Sequence, residues 1–174
     1  KLIMKKKNLN REIKLLPITP KDEQAIELGK RMGIEHFALS FAGSADDVDL
    51  TRYKIGEGKY LMSKVESLNG LRNLDLIIES SEAVLIDRGD LSRDVPLTKI
   101  AYAQSYILDV ARRKDVPVHV ATNLVESMVE NPEPNRSEIN DIVHTLQSGA
   151  AGLVLAAESA IGAYPIECVK VLSK

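Results

Sequence analysis

Five short apolar runs, separated by segments of helical periodicity, constrain the fold of this chain more than any other feature. They span residues 36–41, 60–65, 83–86, 116–121 and 152–156. Each run is bounded by turn-forming residues, which is typical of strands buried on both faces of a parallel sheet. The order along the chain is a helix followed by five strand–helix units. This order predicts an α/β fold with a parallel sheet.

The segments between the runs carry the periodicity of amphipathic helices. In residues 97–113 the side chains of one face are apolar, with Gln104 as the single polar exception. Shorter apolar stripes occur in residues 71–78 and 139–146. Gly149 follows the second stripe at a position typical of a helix C-terminus. We therefore predict helices over these three segments.

Size and composition limit the classes of function. The chain has 174 residues, 44% of them hydrophobic and 28% charged, which predicts one globular domain. The net charge of −2 gives no basic field for a nucleic acid or an anionic membrane surface, and we expect neither as a partner. A single cysteine, and the absence of an apolar run of about 20 residues, favour a cytoplasmic location. The first residue is Lys1 rather than methionine, as in a piece of a longer chain.

Polar side chains stand where the predicted strands end. Ser40 ends the first run, Lys64 and Glu66 end the second, residues 87–90 (Asp-Arg-Gly-Asp) end the third, and Thr122 follows the fourth. The carboxyl ends of parallel strands meet at one edge of a sheet or at one mouth of a barrel, where catalytic residues gather. Because side chains alternate along a strand, Lys64 and Glu66 should point to the same side. This edge is the predicted site.

The residue types at this edge fit two interpretations. Glu66 and Asp90 could hold Mg²⁺, which prefers oxygen ligands, while Lys64 would stabilise a phosphoryl group or a developing enolate. Gly89 would let backbone N–H groups approach an anion. Alternatively, Lys64, Glu66, Arg88 and Asp90 would form a ring of ion pairs that only holds the strand ends together. The residues alone leave both interpretations open.

Three further features are expected to be structural. The tripeptide at residues 88–90 matches an adhesion motif, but it follows a buried strand in a chain without a visible secretion signal. His36 and His119 lie in predicted strands and are expected to pack there, and no pair of histidines has the spacing of metal ligands. Cys168 is expected to be a small buried apolar residue in a C-terminal helix.

Four motifs, taken in order, resemble the pyruvate kinase family. They read SKVES, IDRGDL, ATNLVESMVENPEPNRSEINDIVHTLQSGA and AAESAIGAYPIECV. An earlier segment, FALSFAGSADDV, is also similar to the family, so that the resemblance runs from about Thr19 to the C-terminus. It implies a partial (β/α)₈ TIM barrel over residues 18–174, with about five parallel strands alternating with helices. Residues 1–17 resemble the exit from the family's inserted lid domain.

The resemblance implies roles for the residues at the strand ends. It makes Lys64 and Thr122 catalytic, and Glu66 and Asp90 ligands of Mg²⁺ or Mn²⁺, with K⁺ as a candidate second cation. The residues implied to bind substrate are Ser40, Arg88, Gly89, Asp90 and Thr122. The implied reaction is phosphoryl transfer between phosphoenolpyruvate and ADP, giving pyruvate and ATP. A homo-oligomer, or docking on another domain of a longer chain, is expected because five strands leave a barrel incomplete.

Departures from the family keep two alternatives open. Only the last five of its eight barrel strands are matched, so the nucleotide-contacting strands, the lid domain and the regulatory domain have no counterpart here. Asp87 stands where the family usually has alanine, which adds a negative charge beside the substrate turn. One alternative is a catalytically degraded module with a binding, regulatory or structural role. The other is a keto-acid lyase or decarboxylase that uses a pyruvate enolate.

Overall fold

The computed structural model describes residues 16–173, and in them one parallel sheet of five strands runs in sequence order. The strands are β1 (His36–Leu39), β2 (Tyr60–Val65), β3 (Ala83–Asp87), β4 (Val118–Ala121) and β5 (Gly152–Val154). Each strand pairs with the one before it, which confirms the predicted α/β fold and fits a partial barrel. Most of the lead-in segment predicted over residues 1–17 lies outside the described residues.

Helices connect the strands. They are α1 (Pro20–Arg31), α2 (Ala45–Ile55), α3 (Leu68–Arg72), α4 (Leu74–Glu79), α5 (Arg88–Leu91), α6 (Leu97–Arg113), α7 (Arg136–Gln147), α8 (Ala157–Ala160) and α9 (Pro165–Leu172), with a 3₁₀-helix over Glu126–Val129. Local sequence explains their starts. The hydroxyl of Thr19 accepts from the amide of Asp22 and the Asp22 carboxylate bonds back to Thr19, a capping box before the Pro20 that opens α1.

The two faces of the sheet differ in burial. On β2, Leu61, Ser63 and Val65 are buried against the helices, whereas the alternate residues are partly exposed. On β1, His36 and Ala38 of the second face are exposed. The helical layer therefore covers only one side of the sheet within the part of the chain that the structure describes. The other face carries the side chains of Lys64 and of the strand ends that form the candidate site.

The largest buried apolar cluster lies between the sheet and the helices α4 and α6. Ile107, Leu108 and Ala111 of α6 pack among buried residues of β3 and β4. The polar exception, Gln104, is also buried, and its side-chain amide donates to the hydroxyl of Thr145 on α7 at 3.0 Å. A buried amide is tolerated when it is hydrogen-bonded, so this contact explains a glutamine on an apolar face.

The stripe over residues 71–78 is largely buried as expected but does not form one helix, whereas the stripe of α7 forms one helix that buries less than expected. Residues 71–78 are divided between α3 and α4, and the chain breaks at Asn73, whose side-chain amide donates to the carbonyl of Gly43 at 2.6 Å. On α7, Ile142 is buried, but the three other apolar residues of its stripe, Ile139, Val143 and Leu146, are exposed. None of the helices in residues 16–173 is long and apolar enough to span a bilayer.

Candidate active site

The site begins at the C-terminal end of β2, where Lys64 and Glu66 lie on the same side as predicted. Nζ of Lys64 lies 2.6 Å from Oε1 of Glu66. The Glu66 side chain is only 1% exposed, and its Oε2 accepts from the backbone N–H of Phe41 at 2.5 Å. Phe41 has a left-handed φ of 56°, which turns its amide toward β2. The end of β1 therefore holds a buried carboxylate beside a lysine.

The end of β3 contributes two further carboxylates. Asp87 is the last residue of the strand and the N-cap of α5, because its Oδ1 accepts from the amide of Asp90 at 3.2 Å. Its Oδ2 lies 3.5 Å from Nζ of Lys64. One oxygen each from Glu66, Asp87 and Asp90 lies within 4.8 Å of the others, and Asp90 also pairs with Arg93 at 3.0 Å. Three converging carboxylate oxygens are a donor set that suits a hard divalent cation.

Thr122, directly after β4, closes the site on the third side. Its Oγ1 accepts from the amide of Gly89 at 2.8 Å and lies 3.3 Å from Oδ1 of Asp87. A Cβ on Gly89 would lie 3.4 Å from this hydroxyl oxygen, an ordinary van der Waals distance, so the approach of the two residues does not require glycine for space. Thr122 and Asn123 both have left-handed backbones, with φ of 69° and 54°. Two such residues in succession need support from their surroundings.

The side chain of Arg88 provides that support and points away from the carboxylates. Its Nε and Nη2 donate to the carbonyl of Thr122 at 3.1 and 2.7 Å, and Nη2 also donates to the carbonyl of Asn123 at 2.9 Å. Nη1 donates to Asp141 of α7 at 2.6 Å. Because the Arg88 side chain is 10% exposed, residues 88–90 are not an exposed adhesion loop. The predicted ring of ion pairs is also incomplete, since Arg88 pairs outside it.

The charges around Lys64 keep it protonated. Burial by itself would lower the pKa of its ammonium group, but the hydrogen bond and charge of Glu66, with the charge of Asp87, raise the pKa above its ordinary value. The site thus combines a fixed cation with three carboxylates. It can hold a divalent cation on the carboxylates and an anion beside the ammonium group.

The structure brings together most of the residues predicted from the sequence. Lys64, Glu66, Gly89, Asp90 and Thr122 meet at one edge of the sheet. The backbone of Arg88 belongs to the same turn, although its side chain does not. Ser40 is exposed at the end of β1, where the following residue rather than Ser40 itself reaches Glu66.

Two contributors to the site go beyond the sequence prediction. The sequence identifies Asp87 only as an added charge, whereas alternation along β3 and the pairing of Lys64 with Leu85 put it on the same face as Lys64. Asp141 is 53 residues from Arg88 in the chain, and nothing in the sequence pairs them. Two of the residues expected to be structural make contacts of that kind: the ring of His36 stacks on Tyr60 at 4.9 Å, and Cys168 is buried in α9.

Comparison with known proteins identifies relatives of this chain. The family model described as "Pyruvate kinase, barrel domain" matches residues 2–169. A pyruvate kinase of Thermotoga maritima is 39% identical over 160 residues, which cover 90% of this chain and 34% of that protein. A pyruvate kinase of Thermoplasma acidophilum is 38% identical over 167 residues (94% and 31%), and "Pyruvate kinase 1" of Trypanosoma brucei brucei is 35% identical over 166 residues (94% and 33%). The chain spans about a third of the length of these curated relatives.

Proposed function

This chain belongs to the pyruvate kinase family, and we propose that it supplies the metal- and pyruvate-binding part of a phosphotransferase acting on phosphoenolpyruvate and ADP. One observation carries the proposal: Lys64, Glu66, Asp90 and Thr122 converge at the C-terminal edge of a parallel sheet. This is the position at which parallel α/β sheets and barrels place their active sites.

Glu66 and Asp90 are the residues that would hold Mg²⁺ or Mn²⁺. The fit rests on their chemistry, because each places a carboxylate oxygen within 4.8 Å of the other and Glu66 is buried. A divalent cation bound there supplies positive charge that neutralises the phosphoryl and enolate oxygens. K⁺ has no proposed ligand among the residues of this chain.

The remaining groups act directly on the substrate. The amides of Gly89 and Asp90 and the hydroxyl of Thr122 would bind the carboxylate of phosphoenolpyruvate. The ammonium group of Lys64 would stabilise the oxygen that loses the phosphoryl group. In the reaction, the bond from phosphorus to the enol oxygen breaks and a bond to the terminal phosphate oxygen of ADP forms. The enolate then takes a proton on carbon to give pyruvate.

The test is pyruvate formation by the complete protein from phosphoenolpyruvate, ADP and Mg²⁺, coupled to NADH oxidation. Lys64→Met should lower kcat by about 10²–10³-fold, the usual effect of removing one electrostatic stabiliser. Lys59→Met is a matched control, because Lys59 is equally exposed, at 22%, and also pairs with a carboxylate at 2.6 Å, but it stands before β2 rather than after it. Absence of pyruvate formation by the unaltered protein would reject the proposal.

A second candidate is the degraded module, which one observation favours. The carboxylates of Glu66 and Asp87 both neutralise Lys64, as in a purely structural ion-pair cluster. In that case Glu66→Gln and Asp90→Asn would leave the cellular role intact, and isothermal titration would detect no Mg²⁺-dependent binding of oxalate.

Turnover of 2-keto acids without ADP would instead identify a lyase or decarboxylase.

We also propose that the chain associates, with a second copy or with a neighbouring domain. β1 and β5 each have one unpaired edge in the described part of the chain, and the second face of the sheet is partly exposed. Exposed edges favour pairing with another chain. Size-exclusion chromatography with light scattering on the 174-residue chain should give a mass above 19.2 kDa, and a stable monomer would contradict this.

A further inference from the structure

The carboxylate of Asp87 occupies a cradle that suits a carboxylate ligand. We infer that it acts as an internal competitor, which must leave the cradle before a substrate carboxylate can bind with full affinity. The inference rests on the proposed function for the class of ligand, a small carboxylate bound beside a divalent cation. It adds an inhibitory contact made by one residue of this chain.

Three donors from three different residues surround Asp87. The amide of Asp90 donates to Oδ1 at 3.2 Å, the hydroxyl oxygen of Thr122 lies 3.3 Å from the same oxygen, and Nζ of Lys64 lies 3.5 Å from Oδ2. The Asp87 side chain is 13% exposed. An amide, a hydroxyl and an ammonium group together form a strong binding set for a carboxylate. The present occupant of this set belongs to the chain itself.

The second amide of the turn is also engaged internally. The N–H of Gly89 donates to Oγ1 of Thr122 at 2.8 Å, and this hydroxyl has one proton, which it can give to the carbonyl of Ala121 at 2.6 Å or to Asp87. A ligand carboxylate therefore finds both amides used. It must either displace the Asp87 carboxylate or bind beside it. In the second case the two carboxylates would be neighbours and would repel each other. The apparent affinity is the intrinsic affinity multiplied by the fraction of time for which the cradle is free.

A simpler role for Asp87 would be that of a helix cap for α5. The two roles differ in their dependence on charge. Asparagine keeps an oxygen acceptor for the amide of Asp90 and is as good an N-cap as aspartate. It loses the attraction to Lys64 and the repulsion of an incoming anion. Asp87→Asn therefore separates internal competition from capping, and Asp87→Ala removes both.

The experiment titrates oxalate into the complete protein at saturating Mg²⁺ by isothermal titration calorimetry. Asp87→Ala and Asp87→Asn should bind oxalate tighter by about tenfold or more, because a like charge next to the bound anion is gone. Asp94→Asn is the control. Asp94 is exposed and its carboxylate accepts from the amide of Leu68, so this substitution removes one negative charge outside the cradle. That variant should stay within about twofold of the unaltered protein, since exposed charges are screened.

Unchanged or weaker oxalate binding in Asp87→Asn would overturn the inference, and this variant decides the matter even if Asp87→Ala does not fold. A weaker affinity for Mn²⁺ in Asp87→Asn, with oxalate binding lost in parallel, would identify Asp87 as a metal ligand and also overturn it. Tighter oxalate binding without any pyruvate formation would keep the role of Asp87 and reject the proposed reaction. Pyruvate formation by the unaltered protein, with unchanged oxalate binding in Asp87→Asn, would support the proposed reaction and reject the role of Asp87.

Discussion

Replacement of Arg88 by methionine should destabilise the protein although Arg88 makes no ion pair with the carboxylate cluster in the structure. Methionine keeps the apolar volume of the side chain and removes every donor. The carbonyl of Thr122 then loses two donors, the carbonyl of Asn123 loses one, and Asp141 loses its ion pair. The left-handed backbone of the two loop residues loses the contacts that hold it.

The magnitude follows from the burial of each partner. Thr122 is half-buried, and leaving its carbonyl unpaired costs about 1–3 kcal/mol. Asn123 is exposed and Asp141 is 38% exposed, so water replaces most of what they lose, and together they add about 1 kcal/mol. The expected total is about 2–4 kcal/mol. Asp141→Asn alone should cost less than about 1 kcal/mol, because it removes only the partly solvated ion pair.

Urea unfolding followed by circular dichroism measures these differences, since the chain has no tryptophan for fluorescence. Hydrogen exchange should localise the effect of Arg88→Met to faster exchange in residues 122–128. The double variant with Asp141→Asn gives the coupling energy between the two side chains. If Asp141→Asn lowers the free energy of unfolding as much as Arg88→Met does, the ion pair with Asp141 stabilises the loop after β4. The hydrogen bonds from Arg88 to the loop carbonyls would then not be the main contribution, and the prediction would be wrong.

Two other predictions concern the body of the fold. Gln104→Leu or Thr145→Val alone should cost about 1–3 kcal/mol in urea unfolding because each leaves a buried partner unpaired, whereas the double variant should cost less than their sum. Burial alone would raise the pKa of the Glu82 carboxyl, but the hydrogen bond and charge of Arg52 and the amide of Leu61 outweigh burial and hold the pKa below its ordinary value. The stabilisation is therefore present above pH 4.5 and is lost as the pH falls through the lowered pKa, so the melting temperature of Glu82→Gln should fall less on acidification.

The elements with the strongest local signals were predicted closely. β2 and α6 have the predicted bounds, Tyr60–Val65 and Leu97–Arg113. β5 ends two residues earlier than the apolar run that predicted it, because it pairs only with β4 and that pairing ends at Val154. The break at Asn73 depends on a hydrogen bond to the loop before α2, which is a tertiary contact. Local periodicity predicts elements well where pairing and packing do not override it.

The candidate site also contains residues that local sequence signals predict and residues that depend on tertiary contacts. Lys64 and Glu66 could be placed on one face because strand alternation is a local rule. Applied to β3, the same rule places Asp87 on the face opposite the buried Ile86 and sends the side chain of Arg88 to the other side. The partner of Arg88, Asp141, comes from a helix 53 residues away. Contacts of this kind depend on how α7 packs against the rest of the fold, and a single sequence does not reveal that packing.

The buried side of the sheet determines where the charges of the site lie. Val65 pairs with Ile86, and Ile86 pairs with Val120, and all three are fully buried on the helical side. The residues next to each of them along the chain point to the opposite face. The pairing of Val65 with Ile86 therefore places Glu66 and Asp87, the next residue of each strand, side by side on that face. A slip of one residue on either strand would bury a charge on the helical side and expose an apolar residue in the site. The packing of these three apolar residues therefore enforces the register that assembles the carboxylates.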